Sequence, residues 1–374
     1  MTELAKHDVQ LEVGGRSYSG WSSVEITRSL ERVGWPFSLE LYQGASASDP
    51  VVIRPQSSCV VRIDRQAVIT GYVDDVSINV RGDGIEMPVS GRSKTSDLVD
   101  CHPDPDGKRR WSAVKVESLA AELAAEYGVD VVTDVATGAP LERFALQLGE
   151  TVYDAIERAC GLRQLMVCDD ERGRLLITRA GTERIPGALV YGSNLISVSC
   201  RFSGADRFSE YVCRGQRAGT ATIDADAAQL VNGTATDNVS RHRRLVLQPD
   251  GRTDAAACKA RAEWEMLTRW GRSTSISVVV PGWLTSEGSV WAINQVVRVK
   301  VPPALIDDDF LIVEARLSRD LTGTKTELTL QPPEAFAQYA PPGRGRRRGA
   351  RAEKGLWLDA TDVAAAQQRA AANR

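Results

Sequence analysis

The sequence predicts a β-dominated α+β protein of several domains, with two β-barrels and an α+β module inserted between them. Three observations carry this. Short alternating strands fill residues 9–90 and return after Leu195, two amphipathic helices interrupt them between residues 112 and 161, and three strand motifs recur in order about 240 residues apart. A chain of 374 residues, 43% of them hydrophobic, is long enough for two to four domains with cores of their own.

In the first region, QLEVGGRSYSGW reads as two strand pieces around the turn Gly14-Gly15. SSVEITRSL alternates through Val24 and Ile26, and FSLELY through Phe37, Leu39 and Leu41. CVVRID, AVITGYVDDVSINV and GIEMPVSG follow, with Gly71 as a candidate bulge and RGDG at 81–84 as a hairpin turn. Strands this close together leave no room for the helices of a parallel sheet, so a small barrel is expected.

The character changes at DLVDCHPDPDGKRRWS, residues 97–112. Beyond it, VKVESLAAELAAEYG places Val116, Leu119, Ala120, Leu123 and Tyr127 on one helical face, with Gly128 as its C-cap. A second helix begins at Thr151, which with Asp154 forms a capping-box start, and closes at Gly161. LMVCDDERGRLLITRA reads as a hairpin turning at Glu171–Gly173. Strands resume in LISVSCRF and SEYVCRGQ, residues 216–250 read as long polar loops, and TDAAACKARAEWEMLTRW reads as a helix. Thr253 would cap that helix, Gly271 would close it, and Ala257, Ala260, Trp264 and Leu267 would form its apolar face. The expected division is 1–98 first barrel, 99–190 inserted module, 191–340 second barrel with the helix 253–271 and a small extra subdomain, and 341–374 a basic arm ending in a short helix.

CVVRID (59–64) resembles QVVRVK (295–300), GYVDDVSINV (71–80) takes the place of FLIVEARLSR (310–319), and GDGIEMPVSG (82–91) that of GTKTELTLQP (323–332). Three matches in order at a near-constant offset predict a structural repeat; unrelated β domains with ordinary strand grammar are the alternative. Three chains carrying two similar barrels each would present six similar domains around an axis, the geometry of an adaptor between threefold and sixfold objects.

Catalytic and metal chemistry finds no footing. Cys101, His102, Asp104 and Asp106 mix soft and hard ligands, but no second cluster completes a tetrahedral set. As an EF-hand from Asp104 the run fails, because Lys108 and Lys115 stand where ligands are required. GxSxG, HExxH and phosphate-cradle motifs are missing from the sequence. The paired acids Asp74-Asp75, Asp169-Asp170 and Asp307–Asp309 could serve acid/base work but read as solvated turns or edge protection at strand ends. Trp21, Trp35, Trp283 and Trp291 read as core residues plugging barrel ends, with some left as interface anchors. Seven cysteines without a framework spacing predict buried free thiols in a reducing compartment. MTELAKHDVQLEV has no leader pattern and no apolar run reaches about 18 residues, so neither export by that route nor membrane insertion is expected. No catalytic, cofactor or metal residue is assigned.

Charge is uneven. Net charge is −3, yet residues 341–374 hold seven Arg and one Lys against Glu353, Asp359 and Asp362, a balance of +5 that leaves −8 on the body. Arg344, Arg346, Arg347, Arg348, Arg351 and Trp357 form a candidate partner-binding arm; sequence-independent nucleic-acid binding is its rival reading.

The chain resembles the baseplate hub proteins of Mu-like contractile phage tails over roughly residues 9–336. The resemblance rests on GGRSYSGWSSVEITRSLERVGWPFSLEL, ITGYVDDV, GRSKTSDLVDC, LGETVYDAIERAC, DRFSEYVCRGQ, RAEWE, GSVWAINQVVRV and GTKTELTLQPPEAF, in that order, and SRHRRLVLQ fits a basic segment before the long helix. It implies tube-protein-like barrels in a homotrimer without enzymatic activity, holding the central spike protein below and the tail tube or tube-initiator protein above, with baseplate wedge proteins around it. DNA would be passing cargo only. The implied location is the virion tail baseplate, after assembly in the host cytoplasm. A hub-associated cell-wall-degrading enzyme and a nucleic-acid-binding module are the rivals. Residues 97–112 fall at the handover from barrel to module. Trp35-Pro36 and the long tail after Phe336 depart from the family pattern.

Overall fold

The computed structural model describes residues 7–44, 52–82, 84–216, 230–248 and 255–336. The described residues within Met1–Cys200, Ser275–Lys300 and Asp308–Gln331 form one compact unit, and those within Arg201–Thr274, Val301–Asp307 and Pro332–Arg374 a second.

The first unit opens with β1 (Val9–Val13), β2 (Arg16–Tyr18), β3 (Ser23–Ser29), β4 (Pro36–Gly44), β5 (Ser58–Ile63), β6 (Gln66–Val76), β7 (Asn79–Arg81) and β8 (Gly84–Ser93). Alternation is their cause: Val9, Leu11 and Val13 are buried while Gln10 and Glu12 between them are not. Gly14 and Gly15 turn β1 into β2 with φ of 57° and 78°, backbone that favours glycine. Gly71 is in register, opposite Cys59 and Ser93, so the expected bulge is not there. β6 bulges instead between Val73 and Asp75, and β5 against β6 at Val61/Arg62. Glycine is needed at 71 because a Cβ would lie 1.9 Å from the Arg92 carbonyl oxygen.

The inserted module holds α1 (Ser96–Asp100), β9 (Arg110–Val114), α2 (Val116–Ala124), β10 (Val131–Thr133), β11 (Leu141–Ala145), α3 (Val152–Gly161), β12 (Met166–Asp169) and β13 (Leu175–Thr178). As expected, α2 buries Val116, Leu119, Ala120 and Leu123, and Gly128 ends that segment with φ of 63°. The α3 capping box is present: Thr151 Oγ1 accepts from the Asp154 N–H at 3.1 Å, and Asp154 Oδ2 accepts from the Thr151 N–H at 3.0 Å. The two helices pack on each other, α2 also on β10 and α3 on β12, around a core that includes Leu119, Ile156, Val167 and Leu175. Asp170, Glu171, Arg172 and Gly173 turn the β12–β13 hairpin where expected.

β14 (Arg184–Val190) and β15 (Ser197–Phe202) come next in the chain, and β19 (Thr274–Pro281), β20 (Val296–Val301), β21 (Ile306–Asp320) and β22 (Gly323–Gln331) close it. The two β regions are one hydrogen-bonded sheet of 14 described strands, ordered β15-β19-β22-β21-β3-β4-β8-β6-β5-β1-β2, with β7 on β8 and the β20–β14 pair on β21. The repeat is present in that order. β4-β8-β6-β5 and β19-β22-β21-β20 follow the same path, and Phe37↔Gly91, Val73↔Gly91, Val76↔Val89 and Val80↔Ile85 recur as Ile276↔Leu330, Ile312↔Leu330, Ala315↔Leu328 and Arg319↔Thr324, each 239 residues on. The bulge is repeated too, at Ile312/Glu314.

The second unit contains β16 (Glu210–Gln216), β17 (Leu230–Thr236), β18 (Arg244–Leu247) and α4 (Ala255–Arg272). β17 and β18 lie where polar loops were expected. Val231, Gly233 and Ala235 face inward in strict alternation, but small residues hide that period in the sequence. Helix α4 packs so tightly that a Cβ on Gly233 would come within 2.0 Å of the Lys259 nitrogen. This sets the helix face: Cys258 and Ala262 enter the core, whereas Ala257, Ala260, Trp264 and Leu267 are half-buried, a correction to the predicted stripe. The helix ends at Arg272, one residue beyond Gly271; the predicted cap Thr253 lies outside the described residues.

Candidate functional site

Three local arrangements in the first unit bear on assembly: a joint, a seam and two open edges. The joint is built on Asp169, which is 2% exposed at the end of β12. Its carboxylate accepts from the backbone N–H groups of Gly34 and Trp35, both at 3.0 Å, from Thr95 Oγ1 at 2.6 Å and from Ser93 Oγ. Burial pushes its pKa up, and the four hydrogen bonds oppose that shift. The same hairpin turn offers the Glu171 carbonyl to Thr70 Oγ1 at 2.8 Å and the Glu171 carboxylate to Arg28 at 3.5 Å. Arg28 is 3% exposed and lies over the Trp35 ring, 5.7 Å from its centroid. The inserted module is thus pinned to the first sheet region by a buried acid that sequence reading assigns to a solvated turn. The Asp169-Asp170 pair splits: Asp169 is the pin, and Asp170 closes the turn through Arg172, Gly173 and Arg174.

The seam joins the two copies of the repeat. β3 pairs antiparallel with the C-terminal half of β21, from Ser29↔Glu314 to Val24↔Arg319, on the side that β20 occupies earlier along β21. The exposed ion pairs Arg32–Glu314 at 2.7 Å and Arg316–Glu25 at 2.8 Å flank it. Trp283, Val290 and Leu317 of the later copy enter the core of the earlier one. The Trp283 Nε1–H donates to the Ser318 carbonyl at 3.1 Å, and Arg319 reaches the His7 and Trp21 carbonyls at 2.9 Å. Trp21, Trp35, Trp283 and Trp291 are all buried, in keeping with their reading as core.

The open edges are the counterparts of that seam. β15 ends the hydrogen-bonding order, and past the bulge β6 and β7 pair only with β8 among the described residues. Ile78 and Val80 stand there 59% and 73% exposed.

Residues 97–112 are the entry to the inserted module: α1 buries Leu98, β9 buries Trp111, and the loop between them is tied by the Cys101 carbonyl accepting from the Val152 N–H at 3.0 Å and the His102 carbonyl accepting from Tyr127 Oη at 2.6 Å. No group of three or more His, Cys, Asp or Glu among the described residues is placed to hold a metal ion. All seven cysteines are free; Cys101 and Cys200 are half-buried and the rest buried. A groove of about 580 Å³ is lined by Glu12, Arg16, Cys59, Thr70, Tyr72 and Lys94, and burial pushes the Cys59 thiol up to about 12, which keeps it protonated. The arm residues Arg344, Arg346, Arg347, Arg348, Arg351 and Trp357 lie outside the described residues. No described helix is long and apolar enough to cross a membrane.

A duplicated, seam-joined sheet with a pinned insert is the architecture of a structural tail protein, and the comparisons agree. Residues 8–93 match the family described as Mu phage baseplate assembly protein GpP-like, N-terminal; residues 95–179 match baseplate hub protein gp44-like, second domain; and residues 254–339 match Mu phage baseplate assembly protein GpP, fourth domain. The baseplate hub protein gp44 of Escherichia phage Mu is 32% identical over 358 residues, 93% of this chain and 94% of that one. Among solved structures, the prophage MuSo2 43 kDa tail protein from Shewanella oneidensis has a TM-score of 0.77 at 30% identity, covering 88% of this chain and 100% of that one. A tail protein from Neisseria meningitidis MC58 has a TM-score of 0.71 at 21% identity, covering 88% and 99%. The chain belongs to the Mu-like phage baseplate hub family, and is a structural component of the virion's tail baseplate.

Proposed function

We propose that the protein is a homotrimeric symmetry adaptor of a contractile tail. Its lower face holds a trimeric central spike protein, its upper face meets the hexameric tail tube or tube-initiator protein and templates the first tube ring, and wedge proteins surround it. The observation that carries this reading is the repeat: two four-strand copies whose residue pairs in β4–β8–β6 and β19–β22–β21 recur 239 positions apart. A trimer of such a chain offers six equivalent sheet elements to a sixfold partner and three whole chains to a threefold one. The −8 body favours charge-complementary neighbours, which set register more than affinity.

Residues 1–98, 99–190, 191–340 and 341–374 are the working divisions of this hub. The arm at 341–374, with its +5 balance, is read as clamping an acidic surface of a neighbour. Removing it should leave trimers intact and weaken one partner contact; infectious tails assembling as before would overturn that role. The adaptor reading itself is tested by light scattering on the purified protein, read beside negative-stain class averages. Three-chain rings with six lobes support it, and a monomer at every concentration overturns self-assembly as its basis.

A further inference from the structure

We infer that Cys213 and Cys258 are a disulfide-forming pair, held as thiols while the protein is made and joined after the particle leaves the reducing interior of the cell. The inference concerns the second unit alone and stands apart from the ring reading.

The pair is set up by a glycine. In the antiparallel ladder of β16 and β17, Cys213 lies directly opposite Gly233, so both face the same side of the sheet. That side is the one α4 covers, since Tyr211, Cys213, Val231 and Ala235 share a core with Cys258 and Ala262 of the helix. Gly233 has no side chain to hold the helix off: a Cβ there would lie 2.0 Å from the Lys259 nitrogen and 2.3 Å from the Cys258 carbonyl carbon. The backbone of Cys258 therefore rests on the residue beside Cys213. The Cys258 thiol points down to the sheet and donates to the Val231 carbonyl at 3.7 Å, and the Cys213 thiol is hydrogen-bonded to that of Cys258. Cys59, Cys160 and Cys168 are also buried, but the groups that perturb them are carboxylates and backbone, not a second thiol.

Thiols already in contact lie within reach of an S–S bond of about 2.05 Å by side-chain rotation. The co-reactant is a small-molecule disulfide such as oxidised glutathione. One cysteine attacks it as the thiolate, which releases one small thiol and leaves a mixed disulfide; the other cysteine then attacks the protein-side sulfur, closing the Cys213–Cys258 bond and releasing the second small thiol. Two electrons and two protons thereby pass from the pair to the small disulfide.

Cytoplasmic thiols are kept reduced, whereas a virion in the medium has no such protection. Both cysteines are fully buried, and burial together with the neighbouring thiol pushes the Cys213 pKa up, so the closed unit reacts slowly. Attack waits on opening of the helix start: α4 begins at Ala255, and Ala255 and Ala256, just ahead of Cys258, are exposed. Slow closure leaves the thiols free through folding and assembly. It then ties the start of α4 to β16, across 45 positions of chain, in the particle that has to last outside the cell.

The experiment incubates the purified full-length protein, freed of reductant, with oxidised glutathione for several days below its thermal midpoint. The protein is then alkylated, digested without reduction and mapped by mass spectrometry. A peptide pair joined through Cys213 and Cys258 is expected, with the thermal midpoint raised by about 5 °C or more and restored by reductant. Cys213→Ala and Cys258→Ala, each a small apolar side chain in the same core, should show no rise on the same treatment. Glutathione held only on the half-buried Cys101 or Cys200, a link confined to other cysteines, or linked protein with an unchanged midpoint overturns the inference. Tails collected from the medium and from opened cells, alkylated at once, check the timing: the link should be present in the first and missing from the second, and equal amounts in both, or none in either, would overturn it.

Discussion

At residue 71 the first copy of the repeat has a glycine, and 239 positions on the second copy has Phe310, 1% exposed. The ladder recurs from the next residue, Tyr72↔Arg92 matching Leu311↔Gln331, yet the volume each strand carries does not. In the first copy β6 and β8 approach so closely that a Cβ at 71 would strike the Arg92 carbonyl at 1.9 Å, and one at 91 the Tyr72 carbonyl at 2.1 Å. In the second, Phe310 and Leu330 fill those places. The hydrogen-bond ladder is the part of a β repeat that is held, and side-chain volume is free to drift as long as each copy closes its own core. The bulge makes the same point: Asp74, bonded to Arg92 at 2.8 Å, stands where the second copy buries Val313.

The largest effect should come from emptying the second copy. Phe310→Ala removes a fully buried ring and should cost about 3–5 kcal/mol. Gly71→Ala adds a single methyl in the first copy and should cost about 1–3 kcal/mol by overpacking. Thermal melts of the two variants check the order; if Gly71→Ala is neutral, the close approach of β6 and β8 is not what holds a glycine there.

The next effect concerns the pin that only the first copy has. Asp169→Ala leaves the Gly34 and Trp35 N–H groups buried without an acceptor and should cost about 3 kcal/mol. Asp169→Asn keeps the shape and isolates the titration. Burial raises the carboxyl pKa in the folded state, so the folded protein holds this proton more tightly than the unfolded chain does. That contribution is fully present below the unfolded value of about 3.9 and is lost as pH rises through the folded value. The stability advantage of the unaltered protein over the Asp169→Asn variant should therefore be larger near pH 4 than at pH 7, read from melts of both proteins across that range. The opposite trend would mean that the four hydrogen bonds outweigh burial.

Much of this fold is legible in the sequence where one strong local cause acts. The Thr151–Asp154 capping box, the Gly128 cap and the Glu171–Gly173 turn are short-range chemistry, and each is where the residues place it. The repeat is legible as an offset of about 240 because its strands keep alternation and order. Asp169 was not legible, since an acid beside a second acid and an Arg-rich turn reads as solvated until Gly34, Ser93 and Thr95 are brought to it from more than 70 residues away. β17 was hidden because Gly233 and Ala235 carry an inward face with almost no side chain, the requirement of a helix packed against it. The seam and the open edges were invisible for a different reason: pairing partners across a sheet leave no period in either strand.

The smallest expected effect separates backbone from side chain most sharply, because it should change sign between the copies. Gln56 and Asn294 occupy matching places: the Gln56 N–H donates to the Val73 carbonyl at 2.7 Å and the Asn294 N–H to the Ile312 carbonyl at 2.8 Å, with φ of 66° and 62°. Left-handed backbone costs a residue with a Cβ about 1–2 kcal/mol, and glycine escapes that while losing about 0.5–1 kcal/mol of chain entropy. Gln56 is exposed, so Gln56→Gly should stabilise by about 0.5 kcal/mol. Asn294 is employed differently: its Oδ1 accepts from the Gly181 N–H at 2.7 Å and its Nδ2–H donates to the Arg179 carbonyl at 2.9 Å, holding the strand end that leaves the inserted module. Asn294→Gly gives up these two hydrogen bonds, worth about 1 kcal/mol each, and a longer third to Thr178 Oγ1 at 3.4 Å, together more than the relief of strain, and leaves the Gly181 N–H without its acceptor. A rise in thermal midpoint for the first variant and a fall for the second would show that the repeat conserves a backbone conformation while the second copy uses it to grip the insert; two rises would mean that the Asn294 side chain holds nothing that matters to stability.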